Sequence, residues 1–172
     1  LALPDTYPLK EIGRPKDLLF FDIETTGFDP RREAIIEIGA VLIKDGMIQP
    51  ERFSTFADPQ RPLSPKIVSL TGITDDMLLG APDQDTAVRA FLDFANGRPL
   101  VAHNADFDIG FIRQAALRMD IPFEPTTVDT LSLARRLYPG LHNHKLDTVA
   151  GHLRLGGFNH HRADDDAAIA AG

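Results

Sequence analysis

The 172-residue sequence contains no cysteine, which excludes disulfides and thiolate metal sites. It also lacks any apolar run near the ~20 residues of a membrane span, and no signal-peptide pattern opens it. These absences are compatible with a cytoplasmic protein that has no membrane partner. Positive charge is scarce too: 18 Lys and Arg stand against 25 Asp and Glu, a net charge of −7. That balance argues against a protein that coats nucleic-acid backbone with basic patches. It leaves room for an enzyme that grips only a chain end and brings metal ions to offset its own charge. There is no internal repeat, low-complexity tract or mid-chain linker. The 43% hydrophobic and 25% charged content suits one globular domain with a proper core. The chain opens on Leu1 rather than Met and closes on Gly172 in a helix-like stretch, so the expectation is either a domain excised from a longer chain or a chain trimmed at its ends.

Residues 1–16, with Pro4, Pro8 and Pro15, read as an irregular lead-in, and 17–172 as the working domain. Strands are expected at Leu18–Thr25, Ala34–Ile43 and Met47–Phe56, the last two joined by the turn Lys44–Gly46. "RPLSPKIVSLTGITDDML" reads as two short helices around a turn at Thr71-Gly72, the second capped by Thr74. "DTAVRAFLDFANG" is helical and stops at Asn96-Gly97. "PLVAHN" and "TTVDT" are short strands. Ala105–Met119, Leu131–Leu137, Leu146–Leu153 and Ala163–Ala171 are helices. A three-strand meander followed by alternating strands and helices implies an α/β domain with a mixed sheet and helices packed on it.

The first strand poses a question. Side chains alternate along a strand, so Leu18, Phe20, Asp22 and Glu24 share one face, and Leu19, Phe21, Ile23 and Thr25 the other. Both faces are apolar until the end, as in a central strand covered on both sides. Yet the strand closes on two carboxylates that point the same way.

Two helices answer with carboxylates of their own. At 100° per residue, Phe111, Ile112, Ala115, Ala116 and Met119 form the apolar face of Ala105–Met119, with Asp108 in the middle of it. A carboxylate there needs a cationic or metal partner, because an unpaired buried charge is very costly. Asp106 suits the ordinary role of a helix-start carboxylate. On the helix from Ala163, Asp166 lies near the centre of the apolar arc, Asp165 at its edge, and Asp164 points away. Two pairs share one spacing, His160 with Asp165 and His161 with Asp166, and the wheel favours the second. Short motifs of this kind each carry a high false-positive rate, so convergence makes the argument. Four inward carboxylates without cysteine suit hard cations such as Mg²⁺ or Mn²⁺, and two such ions can clamp a displacement at phosphorus.

"FDIETTG", "AHNADFD" and "HHRADDDA" resemble the three motifs of the DnaQ-like, DEDDh-type 3′–5′ exonuclease family, with the His-x(4)-Asp spacing met by His161 and Asp166. The resemblance runs over most of the chain from Leu18 onward. "FADPQRPLSPKIVSLTGITDDML" and "VDTLSLARRLYPGLHNHKLDTVA" most resemble the proofreading domain of PolC-type DNA polymerase III, with the exonuclease segment of DinG-like proteins second. The resemblance implies an RNase H-like fold with a five-stranded mixed sheet. It assigns two divalent cations, Mg²⁺ or Mn²⁺, to Asp22, Glu24, Asp108 and Asp166, and the general base to His161. It further implies that Thr25, Thr26, Gly27 and Phe28 meet the terminal nucleotide. Leu70 and Thr71 form a second wall, and Asn104 and Phe107 line the same pocket. Asp129 is expected to hydrogen-bond at a strand end rather than to act as a further ligand.

The implied activity is metal-dependent release of nucleoside 5′-monophosphates from single-stranded or frayed DNA 3′ ends, in proofreading or repair. The implied partner is a polymerase or helicase module. An RNA 3′-end trimmer of the same chemistry, a non-catalytic polymerase-accessory binding module and a metal-dependent phosphatase are the rival readings.

Overall fold

The computed structural model describes residues 17–154 and 163–171, so the expected lead-in at 1–16 lies outside the described residues. Its centre is β1 (Asp17–Thr25), flanked by β2 (Ile35–Lys44) and then β3 (Met47–Phe56) on one side. On the other side come β4 (Leu100–Ala102) and β5 (Thr127–Asp129), giving the order β3-β2-β1-β4-β5. The β1–β2 and β2–β3 pairs are antiparallel, and β1–β4 and β4–β5 are parallel. The expected mixed sheet, meander first, is what forms. Asp45 and Gly46 turn β2 into β3 with positive φ at both positions, the geometry a tight hairpin requires.

The seven helices of the described residues are α1 (Pro65–Thr71), α2 (Asp75–Leu78), α3 (Gln84–Ala95), α4 (Ala105–Arg118), α5 (Thr130–Leu137), α6 (Leu146–His152) and α7 (Ala163–Ala171). Their ends follow local chemistry. Ser64 accepts from Ile67 N–H ahead of α1, and Asp83 accepts from Thr86 N–H ahead of α3. Asn96 closes α3 in the left-handed conformation. Thr74 occupies the cap position of α2 but makes no capping bond. Instead the neighbouring Asp75 carboxylate accepts from Leu63 N–H at 2.9 Å, tying α2 to the chain ahead of α1.

The two faces of β1 sort as its alternation requires. Leu19, Phe21 and Ile23 join the core that α3 and α4 cover, where Phe21 and Phe91 lie 5.1 Å apart between ring centroids. Leu18 and Phe20 face the other way, with Ile43, Val101 and the end of α7. A third cluster, around Ile36, Leu63, Ile67, Ile73 and Leu78, seats α1 and α2 beside the meander. Ala163 and Ala167 are fully buried where α7 meets β1 and β2. Small residues there let the helix lie close to the sheet.

Candidate active site

The strand-end carboxylates stand where β1 outruns its parallel neighbour. Pairing between β1 and β4 is confined to Leu19–Leu100 and Phe20–Val101, and β4 ends at Ala102. Leu19 N–H still reaches Pro99 C=O at 3.0 Å. Backbone N–H groups alternate sides along a strand, so that of Ile23 points past the end of β4. Asp108, from the first turn of α4, fills the vacancy and accepts from Ile23 N–H at 3.2 Å. Asp108 is 2% exposed. No salt bridge to it occurs among the described residues. Asp106, by contrast, is exposed.

Asp22 and Glu24 are half-buried on the face covered by α7, and that helix delivers Asp166. One carboxylate oxygen from each of Asp22, Glu24 and Asp166 lies within 4.8 Å of the others. Two oxygens on opposite sides of one hard cation stand about 4–5 Å apart, so this all-oxygen set fits such an ion. Asp108 adjoins the group without joining that spacing, and it is the strongest like charge acting on Asp22. Asp165 is half-buried but outside the group.

The electrostatics are those of crowded anions. Burial pushes Asp22 well above the usual carboxylate range, and the charges of Asp108, Glu24, Asp166 and Glu37 push it further. Glu24 is raised to about 8, first by burial and then by Asp166 and Glu37. Asp108 is also raised, by burial, although the bond from Ile23 N–H opposes the shift. Neutral protein groups do not relieve such crowding. A divalent cation does.

The residues expected to meet a nucleotide differ in exposure and in bonding. Phe28 is 78% exposed and Leu70 47% exposed, both large apolar surfaces facing solvent. Phe107 is half-buried and meets Phe28 edge-on, ring centroids 6.3 Å apart. Asn104 is exposed and takes the left-handed conformation ahead of α4. Thr25 and Thr71 are buried. The Thr25 hydroxyl donates to Gly27 C=O at 2.6 Å, and that of Thr71 donates to Ile67 C=O while accepting from Ile73 N–H. The Thr26 hydroxyl is fully engaged, donating to Glu33 and accepting from Ala34 N–H and Arg61. The hydroxyls of these three threonines are therefore engaged within the protein, and Phe28, Leu70 and Asn104 face outward. His161 and His160 lie outside the described residues.

Glu37 is the site residue that sequence reasoning missed. It is 1% exposed on β2, directly opposite Glu24, and its Oε2 accepts from Ala163 N–H at 3.3 Å at the start of α7. Its signal was a lone carboxylate inside the apolar run "IIEIGAV", but only the strand register reveals its neighbour. Asp129 behaves as expected. It caps α5 by accepting from Leu131 and Ser132, and it also accepts from Asn104 and Ala105 N–H at 2.8 and 3.2 Å. Against the upward push of its partial burial, these bonds hold its pKa below the usual value. It fastens the turn from which Asp108 projects.

An RNase H-like mixed sheet with acidic side chains gathered at the end of its central strand is the frame of a nuclease, and the family and structural comparisons make the class that of a 3′–5′ exonuclease. The exonuclease family model RNase_T matches residues 19–172, and the chain belongs to that family. It is similar to the DNA polymerase III PolC-type of Clostridium perfringens, 47% identical over 155 residues, which cover 90% of this chain and 11% of that protein. The corresponding protein of Caldanaerobacter subterraneus is 46% identical over the same shares. The chain thus spans about a tenth of the length of these relatives. Among solved structures it is similar to exonuclease X in complex with 5′ overhanging duplex DNA, with 31% identity and a TM-score of 0.69. That match covers 90% of this chain and 86% of that one. Exonuclease I of E. coli, solved with single-stranded DNA and zinc, shares the fold at a TM-score of 0.78 and 19% identity, covering 92% of this chain and 39% of that one. Exonucleases of this kind use divalent metal ions, and no helix of the described residues is long and apolar enough to cross a membrane.

Proposed function

We propose that the chain removes nucleoside 5′-monophosphates from single-stranded or frayed DNA 3′ ends as the proofreading or repair module of a polymerase III-linked protein. The observation that carries this reading is the convergence of Asp22, Glu24 and Asp166 oxygens within 4.8 Å of one another, in a chain that also exposes the large apolar side chains of Phe28 and Leu70. Similarity to PolC-type polymerases supports the polymerase link, and that link implies the cytoplasm.

In this reading Asp22, Glu24, Asp108 and Asp166 hold two divalent cations, Mg²⁺ or Mn²⁺. When bound, the cations supply charge neutralisation and Lewis-acid polarisation of the scissile phosphate. His161 accepts a proton from the attacking water. The P–O bond to the upstream 3′-oxygen breaks, leaving a mononucleotide with a 5′-phosphate and a strand shortened by one residue. Phe28 packs on the terminal base, Leu70 forms the opposite wall with Thr71 behind it, and Asn104 and Phe107 close the pocket. Thr25, Thr26 and Gly27 present the backbone turn that meets the nucleotide. Residues 17–172 form the exonuclease domain, and 1–16 lead into it.

The test is a 5′-labelled single strand, DNA or RNA, incubated with Mg²⁺ or Mn²⁺ and resolved on a sequencing gel. A DNA ladder that shortens from the 3′ end and stops in excess chelator is expected. Faster RNA shortening would make the chain an exoribonuclease. Binding without product would make it an accessory module, and release of inorganic phosphate a phosphatase.

A further inference from the structure

The turn that follows Glu24 is held by a residue distant in sequence. Arg61 lies in the loop between β3 and α1. Its Nη2 donates to Glu33 Oε2 at 2.6 Å, to Thr26 Oγ1 at 2.9 Å and to Arg32 C=O at 3.1 Å. Thr26 Oγ1 donates to the same Glu33 oxygen at 2.6 Å and accepts from Ala34 N–H at 2.9 Å. A hydroxyl has one proton and two lone pairs, so these three bonds exhaust it. The Arg61 loop is itself anchored. Gln60 N–H bonds to Asp58 Oδ1 at 2.7 Å, Leu63 N–H bonds to Asp75 Oδ1 at 2.9 Å, and Leu63 packs with Ile67 of α1. Gly27 completes the arrangement. A Cβ there would stand 2.8 Å from both Cγ and Cδ of Glu33, so any larger residue would push the Glu33 side chain out of the arrangement.

We propose that Arg61, acting through Glu33 and Thr26, is a positioning residue that fixes the distance between the two walls of the terminal-nucleotide pocket. One wall, the turn ending in Phe28, hangs from β1, and the other, Leu70, rides on α1. The cross-brace joins the first to the loop that leads into the second. The inference rests on the reading that Phe28 and Leu70 enclose the terminal nucleotide. An isolated ion pair at this exposure contributes little. This one is charge-assisted, shared with a saturated hydroxyl and a main-chain carbonyl, and so specifies geometry. None of its members is a carboxylate of the metal group, so its loss loosens substrate binding and leaves the reacting centre intact.

The experiment compares Arg61→Met, Arg61→Lys, Glu33→Gln and Gly27→Ala with Phe28→Ala and Leu70→Ala, using a single-stranded DNA oligonucleotide. Steady-state hydrolysis gives KM and kcat, calorimetric Mn²⁺ titration gives metal binding, and circular dichroism confirms the fold. Arg61→Met is expected to raise KM about tenfold with kcat within roughly twofold and Mn²⁺ binding unchanged. Arg61→Lys, which keeps the charge and three donor protons but ends one atom short of the Nη2 position, should fall between wild type and Arg61→Met. Gly27→Ala should raise KM at least as much as Arg61→Met, because it displaces Glu33 and also alters the turn that meets the nucleotide. The double variant Arg61→Met/Glu33→Gln should be no worse than either single. If Phe28→Ala and Leu70→Ala raise KM while a folded Arg61→Met does not, the brace is refuted and the pocket stands. If none of the three raises KM, pocket and brace both fail. If Arg61→Met does not fold, Arg61→Lys and Glu33→Gln decide: an unchanged KM in both overturns the proposal.

Discussion

Glu24 and Glu37 face each other across an antiparallel pair, a placement that disfavours two negative charges. Glu24 responds by holding its proton up to about pH 8, against 4.5 for an ordinary glutamate. Between those values the folded chain binds more protons than the unfolded one, so unfolding free energy falls as pH rises through the window. The metal-free protein should therefore melt at a higher temperature near pH 5 than near pH 8, with Mg²⁺ or Mn²⁺ recovering most at the alkaline end. Thermal melts in chelator and in excess divalent metal across pH 5–8 check this. A melting temperature that climbs with pH in chelator would contradict the crowding. The same repulsion governs substitution. Asp22→Ala, Glu24→Ala or Asp166→Ala should lower hydrolysis at least about 100-fold, beyond the loss usual for groups that merely support a ligand. Each should leave the metal-free fold as stable as wild type or more so, because fewer like charges remain. Single-turnover rates alongside melts separate the two effects. His161→Ala should cost roughly 10²–10⁴-fold in rate with metal binding retained, and His160→Ala far less.

The elements were legible wherever the signal was local. Expected and observed boundaries agree within a residue or two: the Lys44–Gly46 turn and the stop at Asn96 are read in place, whereas Ser64 and Asp83 cap α1 and α3 without being singled out in the sequence, and Thr74, read as a cap, makes no capping bond. The inward aim of Asp108 and Asp166 was legible because 3.6-residue periodicity places a side chain relative to its own helix. Glu37, Glu33 and Arg61 were not, because their roles arise from partners 126, 7 and 28 residues away, respectively. No periodicity encodes strand register against a helix start, or a loop arginine against a turn. The wheel likewise says which way Asp166 points but not how closely its helix approaches the sheet. That distance is set by Ala163 and Ala167, both fully buried against β1 and β2. Ala167→Leu should lift α7, costing about 1–3 kcal/mol by overpacking and weakening Mn²⁺ binding, since Asp166 moves with the helix. Ala168→Leu, on a half-buried position one residue along, is the comparison. If the two variants bind Mn²⁺ equally, close helix approach is not what positions Asp166.

For the whole molecule, the net charge of −7 and the proposed pocket for one terminal nucleotide lead to the same expectation. A protein that tracks many phosphates through a basic groove loses affinity steeply with salt, in proportion to the counterions released, with a slope near −0.7 per phosphate contact for single strands. This chain has an acidic excess, and in the proposed reading its recognition surface is a few apolar side chains, so it should hold the strand by its end. KM for single-stranded DNA should therefore rise only weakly with KCl, with a logarithmic slope of about 1–2. It should also change little between an 8-mer and a 30-mer (lengths chosen at roughly one and several OB-fold footprints). A paired 3′ terminus should be degraded more slowly than a frayed one, because the last nucleotide must leave its stack, at a cost of a few kcal/mol. Initial rates over a KCl series, with both oligonucleotide lengths and with matched and mismatched termini, measure all three quantities together. A steep salt slope joined to tighter binding of the longer strand would mean that the chain engages an extended track of backbone, and the end-gripping account would be abandoned. A shallow slope with length-independent KM but no preference for frayed ends would instead retain the grip and overturn the requirement for an unstacked terminal nucleotide.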